Sequence, residues 1–252
     1  MTGAASLTEA LLRLAAASPH PQARATRVDS LSMRRRELFK WAGALALCAA
    51  PGLARELRAT QAPARSAAQA PPRLPSQVAG VRLPSSPLAQ RAARFARASC
   101  PDYLFNHCMR TFVFGALRLQ RRHLDYRADE AFVGAALHDL GLLAQFESPR
   151  GSFELDGADA AERWVRENHG TAAEGNRVWH EIVLHDGLWA LTKRHGPEAM
   201  LVALGAAADV IGPDPADLDP REVDAVLGAF PRLQFKQRFT GLLVAHCQRK
   251  PD

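Results

Sequence analysis

A chain of 252 residues with 47% apolar and 23% charged side chains can bury a core of its own, which excludes an extended disordered polymer. Its formal charge of +6 sits mostly at the start: residues 1–54 hold seven Lys/Arg against three Asp/Glu, and the remainder 25 against 23, so no nucleic-acid surface is expected in the folding part. Alanine is abundant, aromatics make up 7%, and alternating β-branched runs are scarce, which favours helices over strands.

Residues 33–54 combine a basic head (Met33-Arg34-Arg35-Arg36), an apolar run and a small-residue end, the layout of a secretory signal peptide cleaved after Ala54. The run Trp41–Ala54 is shorter than the about 20 residues that span a bilayer, so no stable membrane span is expected. Arg35-Arg36 followed by Leu38, Phe39 and Lys40 resembles the twin-arginine export signature. That resemblance implies the twin-arginine export machinery as a partner and a periplasmic or otherwise exported location. Met33 directly precedes this segment, so translation is expected to begin there; the alternative is a start at Met1, with residues 1–32 an extension in which Leu7–Ala17 forms a short helix. Residues 55–85, rich in Ala, Pro, Gln and Arg without a helical stripe, read as a disordered linker.

From Ser86 onward helix signals recur at short intervals, and an all-α, single-domain bundle over 86–252 is expected. Ser86-Pro87 caps a helix to about Ser99. Pro101 opens a second, whose inward stripe is Leu104, His107, Cys108, Thr111, Phe112, Gly115 and Leu119. A third covers Glu130 to Leu140 and stops at Gly141. Asp156 caps a fourth running to Asn168, and Ala173–His185, Pro197–Ile211, Glu222–Phe230 and Phe235–Arg249 complete the set. No C-x-x-C pair occurs, so Cys100, Cys108 and Cys247 read as small buried side chains.

Chemistry enters with His107, the adjacent pair His138-Asp139, and Asp209, each at a position where a polar side chain is expensive to bury. An unpaired buried carboxylate at Asp209 calls for a cation, either an arginine or lysine or a metal that also gathers the inward histidines. His138 and Asp139 lie about 100° apart on a helix, so they reach one ion only at its terminal turn. Two imidazoles and two carboxylates suit Zn²⁺, Fe²⁺ or Mn²⁺ with room for water.

These residues, in this order and helical setting, resemble the HD superfamily of metal-dependent hydrolases, and more closely its cyanamide hydratase-like branch. Asn106-His107-Cys108-Met109-Arg110-Thr111-Phe112, Ala135–Gly141, Phe153–Ala158, Trp179–His185 and the closing Phe235-Lys236 to Lys250-Pro251 carry the likeness, which spans residues 87–252. Cys108, where serine is usual, and Asp186, where threonine often follows the later histidine, depart from it. The resemblance implies an HD domain whose metal is held by His107, His138, Asp139 and Asp209, and water activated toward a small nitrile- or cyanamide-like substrate. His185 is the expected proton shuttle and Glu154 a second catalytic group that accepts a proton or orients an amine. Asn106 and Arg110 are expected to support the first ligand. The rival readings are an HD phosphohydrolase acting on a nucleotide or phosphoester, and an exported helical protein whose metal is purely structural.

Overall fold

Residues 74–186, 194–212 and 217–250 are described by the computed structural model, and helices make up most of them. The extension 1–32, the signal-like segment 33–54 and linker residues 55–73 lie outside the described residues.

The chain enters through a hairpin, β1 (Gln77–Val78) antiparallel to β2 (Val81–Arg82), turned by Ala79 and Gly80 at φ 49° and 81°. Two positive-φ residues match the twist of paired strands. Val78, Val81 and Leu83 bury on the helical body. The expected linker therefore ends in ordered structure, whose alternation over a few residues was too short to register as strand.

Eight α-helices follow among the described residues: α1 (Pro87–Ser99), α2 (Asp102–Arg121), α3 (Ala128–Leu137), α4 (Phe153–Glu167), α5 (Ala172–Val183), α6 (Pro197–Val210), α7 (Pro220–Ala229) and α8 (Phe235–Arg249). Several starts are fixed by side-chain caps. Ser86 Oγ accepts from Ala89 N at 3.2 Å, Thr171 with Glu174 forms a capping box, and Asp219 with Glu222 forms another. The fourth helix begins at Phe153 with Ser152 as its cap, and Asp156 sits buried inside the first turn, paired with Lys250.

Helix α2 is buried on every side from Tyr103 to Leu119, not along one stripe, because it forms the axis of the bundle. Its closest neighbour is α6. A methyl on Gly205 would overlap the Thr111 carbonyl oxygen, and one on Gly115 would overlap that of Leu201. Two glycines thus let the backbones touch. Leu104, Phe112, Phe114, Phe132, Leu137 and Leu201 fill the surrounding core.

Helix α3 stops at Leu137 and passes into 3₁₀ turns over Leu140–Leu142 and Ala144–Phe146. Gly141 serves close approach here, not a left-handed cap. A methyl there would strike the Phe153 carbonyl oxygen and crowd Gly157 N, so its absence lets the start of α4 pack against the turn after α3. No helix among the described residues is long and apolar enough to cross a membrane.

Candidate metal centre

His107 leaves the second turn of α2, and His138 and Asp139 follow the last turn of α3. His138 is still helical at φ −62°, ψ −28°, whereas Asp139 turns off at φ −100°, ψ 12°. The helix breaks at this pair, and both side chains reach one point at its end. All three residues are buried.

His107 Nε2 lies 3.2 Å from His138 Nε2, and each lies 3.3 Å from Asp139 Oδ2. Three ligand atoms at about 2.0–2.1 Å from a tetrahedral ion are separated by about 3.3–3.4 Å, so the triangle has the size of one face of such a site.

Proton positions follow from the other ring nitrogens. Nδ1 of His138 faces the Ala135 carbonyl at 2.9 Å, Nδ1 of His107 faces Asp209 Oδ2 at 2.7 Å, and Nδ1 of His185 faces the Ile182 carbonyl at 2.6 Å. Each Nδ1 donates, so in a neutral ring each Nε2 presents a lone pair. Burial, reinforced by the charge of His107, pushes the His138 imidazole down to about 3, and burial with His138 pushes His185 down to about 4. Both are neutral at pH 7. Neither oxygen of Asp139 has a hydrogen-bond donor in the protein, although two imidazole nitrogens stand 3.3 Å from Oδ2. Proximity without a bond is what acceptors crowding one point produce. A cation resolves that repulsion, and the group His107, His138 and Asp139 can hold a metal ion.

Asp209, expected as a fourth ligand, lies on the far side of the His107 ring. Arg110 clasps it in bidentate fashion, Nε to Oδ1 at 2.8 Å and Nη2 to Oδ2 at 2.6 Å, and Arg232 Nη1 approaches Oδ1 at 3.1 Å. Burial alone would raise its carboxyl, but hydrogen bonds from His107 and Arg110 outweigh it and hold the group well below the carboxylate range. The metal-ligand expectation for Asp209 is corrected to a support. Its oxygens are saturated by guanidinium groups, and it fixes the tautomer of His107 from behind. Phe235 stacks on the same imidazole at 4.4 Å, a contact that the sequence reading did not single out.

His185 lies in the turn that closes α5, directly after its cap Leu184, buried, with Nε2 3.8 Å from Asp139 Oδ1 and its ring 4.8 Å from that of His138. The structure therefore brings it beside the trio. Glu154, in the first turn of α4, is half-buried and hydrogen-bonded to Asp186. Burial and the Glu154 carboxylate push the Asp186 carboxyl far above its usual range, so Asp186 holds the proton of this pair. Asp186 was visible in the sequence only as an acid following His185. Asn106 bonds the Pro231 carbonyl at 2.9 Å and Arg110 supports Asp209, which places both behind the first imidazole.

Another buried carboxyl, Glu181, lies against Gly134; burial first, then Glu130 and Glu198, push it well above the usual carboxylate range. Compared with known proteins, the sequence matches no family model and no curated protein.

Proposed function

We propose that this chain is a metal-dependent hydrolase or hydratase of HD type, which activates water for attack on the carbon of a small nitrile- or cyanamide-like substrate. The observation that carries the reading is the convergence of His107 Nε2, His138 Nε2 and Asp139 Oδ2, all buried, with neither Asp139 oxygen hydrogen-bonded within the protein. The donor set of two imidazoles and one carboxylate suits Zn²⁺, Fe²⁺ or Mn²⁺. His107, His138 and Asp139 would hold a divalent ion, which when bound would supply a water of pKa near about 7 and polarisation of the electrophile.

The chain's own groups then divide the remaining work. His185, neutral and with Nε2 turned to the trio, is the acceptor for the proton that water gives up. Asp186, carrying the proton shared with Glu154, can return one to the nitrile nitrogen, and Glu154 can accept a hydrogen bond from a substrate amine. Addition of water across the carbon–nitrogen triple bond breaks one O–H bond of water and one carbon–nitrogen π bond and gives the hydroxy-imine tautomer; a further proton transfer from its oxygen to its nitrogen gives the amide, and the proton taken by His185 restores the one that Asp186 gave up.

A phosphoester substrate is disfavoured by the fate of Arg110. This side chain, the basic group nearest a ligand in sequence, is fully buried and committed to Asp209, Phe230 and Pro231. We also propose export through the twin-arginine route, on the residues of the signal-like segment.

The test uses the full chain loaded with Zn²⁺, Fe²⁺ or Mn²⁺ and offered cyanamide, small nitriles and a panel of phosphoesters. Urea formation from cyanamide is expected. His185→Ala should lower that rate by at least about 100-fold while metal content is unchanged. Phosphate release without urea would favour the phosphohydrolase, and full metal loading with no turnover of any substrate would favour a structural metal.

A further inference from the structure

Helices α3 and α5 lie side by side, and the contacts between them recur at four-residue steps along each chain segment. In the outer rung Arg177 Nε donates to both oxygens of Glu130, at 2.9 and 2.8 Å. In the inner rung, where both helices end, the rings of His185 and His138 stand 4.8 Å apart. Between these rungs Gly134 faces Glu181, so closely that a methyl on the glycine would overlap Oε2. Steps of four residues stay on one face of a helix, so the three rungs form a single seam. The middle one is unmatched. Glu181 is 2% exposed, and neither of its oxygens is hydrogen-bonded within the protein. An ionised carboxylate in such a place is far more costly than the uncharged acid.

We propose that Glu181 is a pH-sensitive latch of this seam, closed while the side chain keeps its proton and opened when it ionises. Burial first, then Glu130 on α3 and Glu198 on α6, push its carboxyl well above the usual carboxylate range, against the opposing pull of Arg127 and Arg177. Both guanidiniums are turned to Glu130. From α4, which also packs on α5, Asp159 accepts from Trp179 and Glu162 lies against Gly175. The imidazoles of His138 and His185 close the inner side. Once ionised, Glu181 needs a donor or solvent, which it reaches when α5 moves off α3. The inner rung then parts as well, because His138 ends one helix and His185 the other. That this parting displaces a proton shuttle rests on the catalytic reading above; the opening of the seam does not.

The test compares the full chain with Glu181→Gln by urea unfolding from about pH 4 to about pH 10. Below the ordinary carboxylate range the group is uncharged in both folded and unfolded chains, and the two profiles should run parallel. Above that range the unfolded chain releases its proton first. The folded-to-unfolded ratio of the native protein should then fall, relative to the variant, by about 10-fold per pH unit until the folded group ionises too. Glu181→Met, which adds no donor, should show the same relative gain, and parallel profiles for the native chain and both variants across the whole range would overturn the latch. Native-state amide exchange over residues 175–186 reads the opening itself. Native and Glu181→Gln rates should match at about pH 5, and in alkaline solution the native chain should exchange at least about 10-fold faster. Equal rates at every pH would also overturn the proposal. Neither measurement involves metal or turnover, so a failure here leaves the reading of the metal centre standing.

Discussion

Asp209 shows how a single carboxylate can be read in two ways. Its burial beside inward histidines signals a cation partner, and both an arginine and a metal satisfy that demand. The structure gives the arginine: Arg110 takes both oxygens, and the carboxylate turns its remaining capacity to His107 Nδ1. Such an acid orients a ligand and raises its basicity without touching the ion. Asp209→Asn should destabilise the fold by about 3–5 kcal/mol, because it strands the buried guanidinium of Arg110, and urea unfolding at pH 7 measures this. The sign of the pH dependence follows. A carboxyl held below its usual range contributes stability that is complete above the unfolded pKa and lost as pH falls through the folded one. The gap between native protein and variant should therefore narrow in acid, below the ordinary carboxylate range.

At the scale of elements, the site depends on how closely α2 and α6 approach, since one carries His107 and the other Asp209. Gly205 touching the Thr111 carbonyl, with Gly115 against Leu201, permits that approach. Gly205→Ala gains up to about 1 kcal/mol of helix propensity, yet the added methyl has no space. The overpacking term, about 1–3 kcal/mol, should win, lowering the thermal midpoint and weakening metal retention together. An unchanged midpoint would mean that the helices separate freely. Helix positions were legible in the sequence because caps and breakers are local: Ser86-Pro87 and Pro197 mark starts directly, whereas α7 starts at Pro220, two residues before the Glu222 expected. The burial of α2 on all sides was not legible, since being central depends on what surrounds a helix, and periodicity reports only one element's own face. Gly141 shows the same limit. It reads as a helix stop, while its actual service is to α4, distant in the chain until the fold is made.

Across the whole molecule, the trio comes from two consecutive helices, α2 and the end of α3, and His185, Glu154 and Asp186 come from the end of α5 and the start of α4. His107, His138 and Asp139 were recoverable because their expense in a core is readable residue by residue. The Glu154–Asp186 pair was not, because a shared proton requires two carboxyls to meet, which no spacing announces. The proposed export route adds an expectation of its own: Arg35→Lys with Arg36→Lys should retain the full chain in the cytoplasm on fractionation, and unchanged secretion would exclude that route.

The central claim is that a cation completes the acceptors of His107, His138 and Asp139. Elemental analysis of the purified full chain and of Asp139→Asn, after equal exposure to Zn²⁺, Fe²⁺ and Mn²⁺, addresses it directly. Roughly one ion per chain is expected in the native protein, falling at least about 10-fold in a variant whose helical circular dichroism is unchanged. A native chain that retains none of the three metals, or a variant that retains as much, would contradict the account.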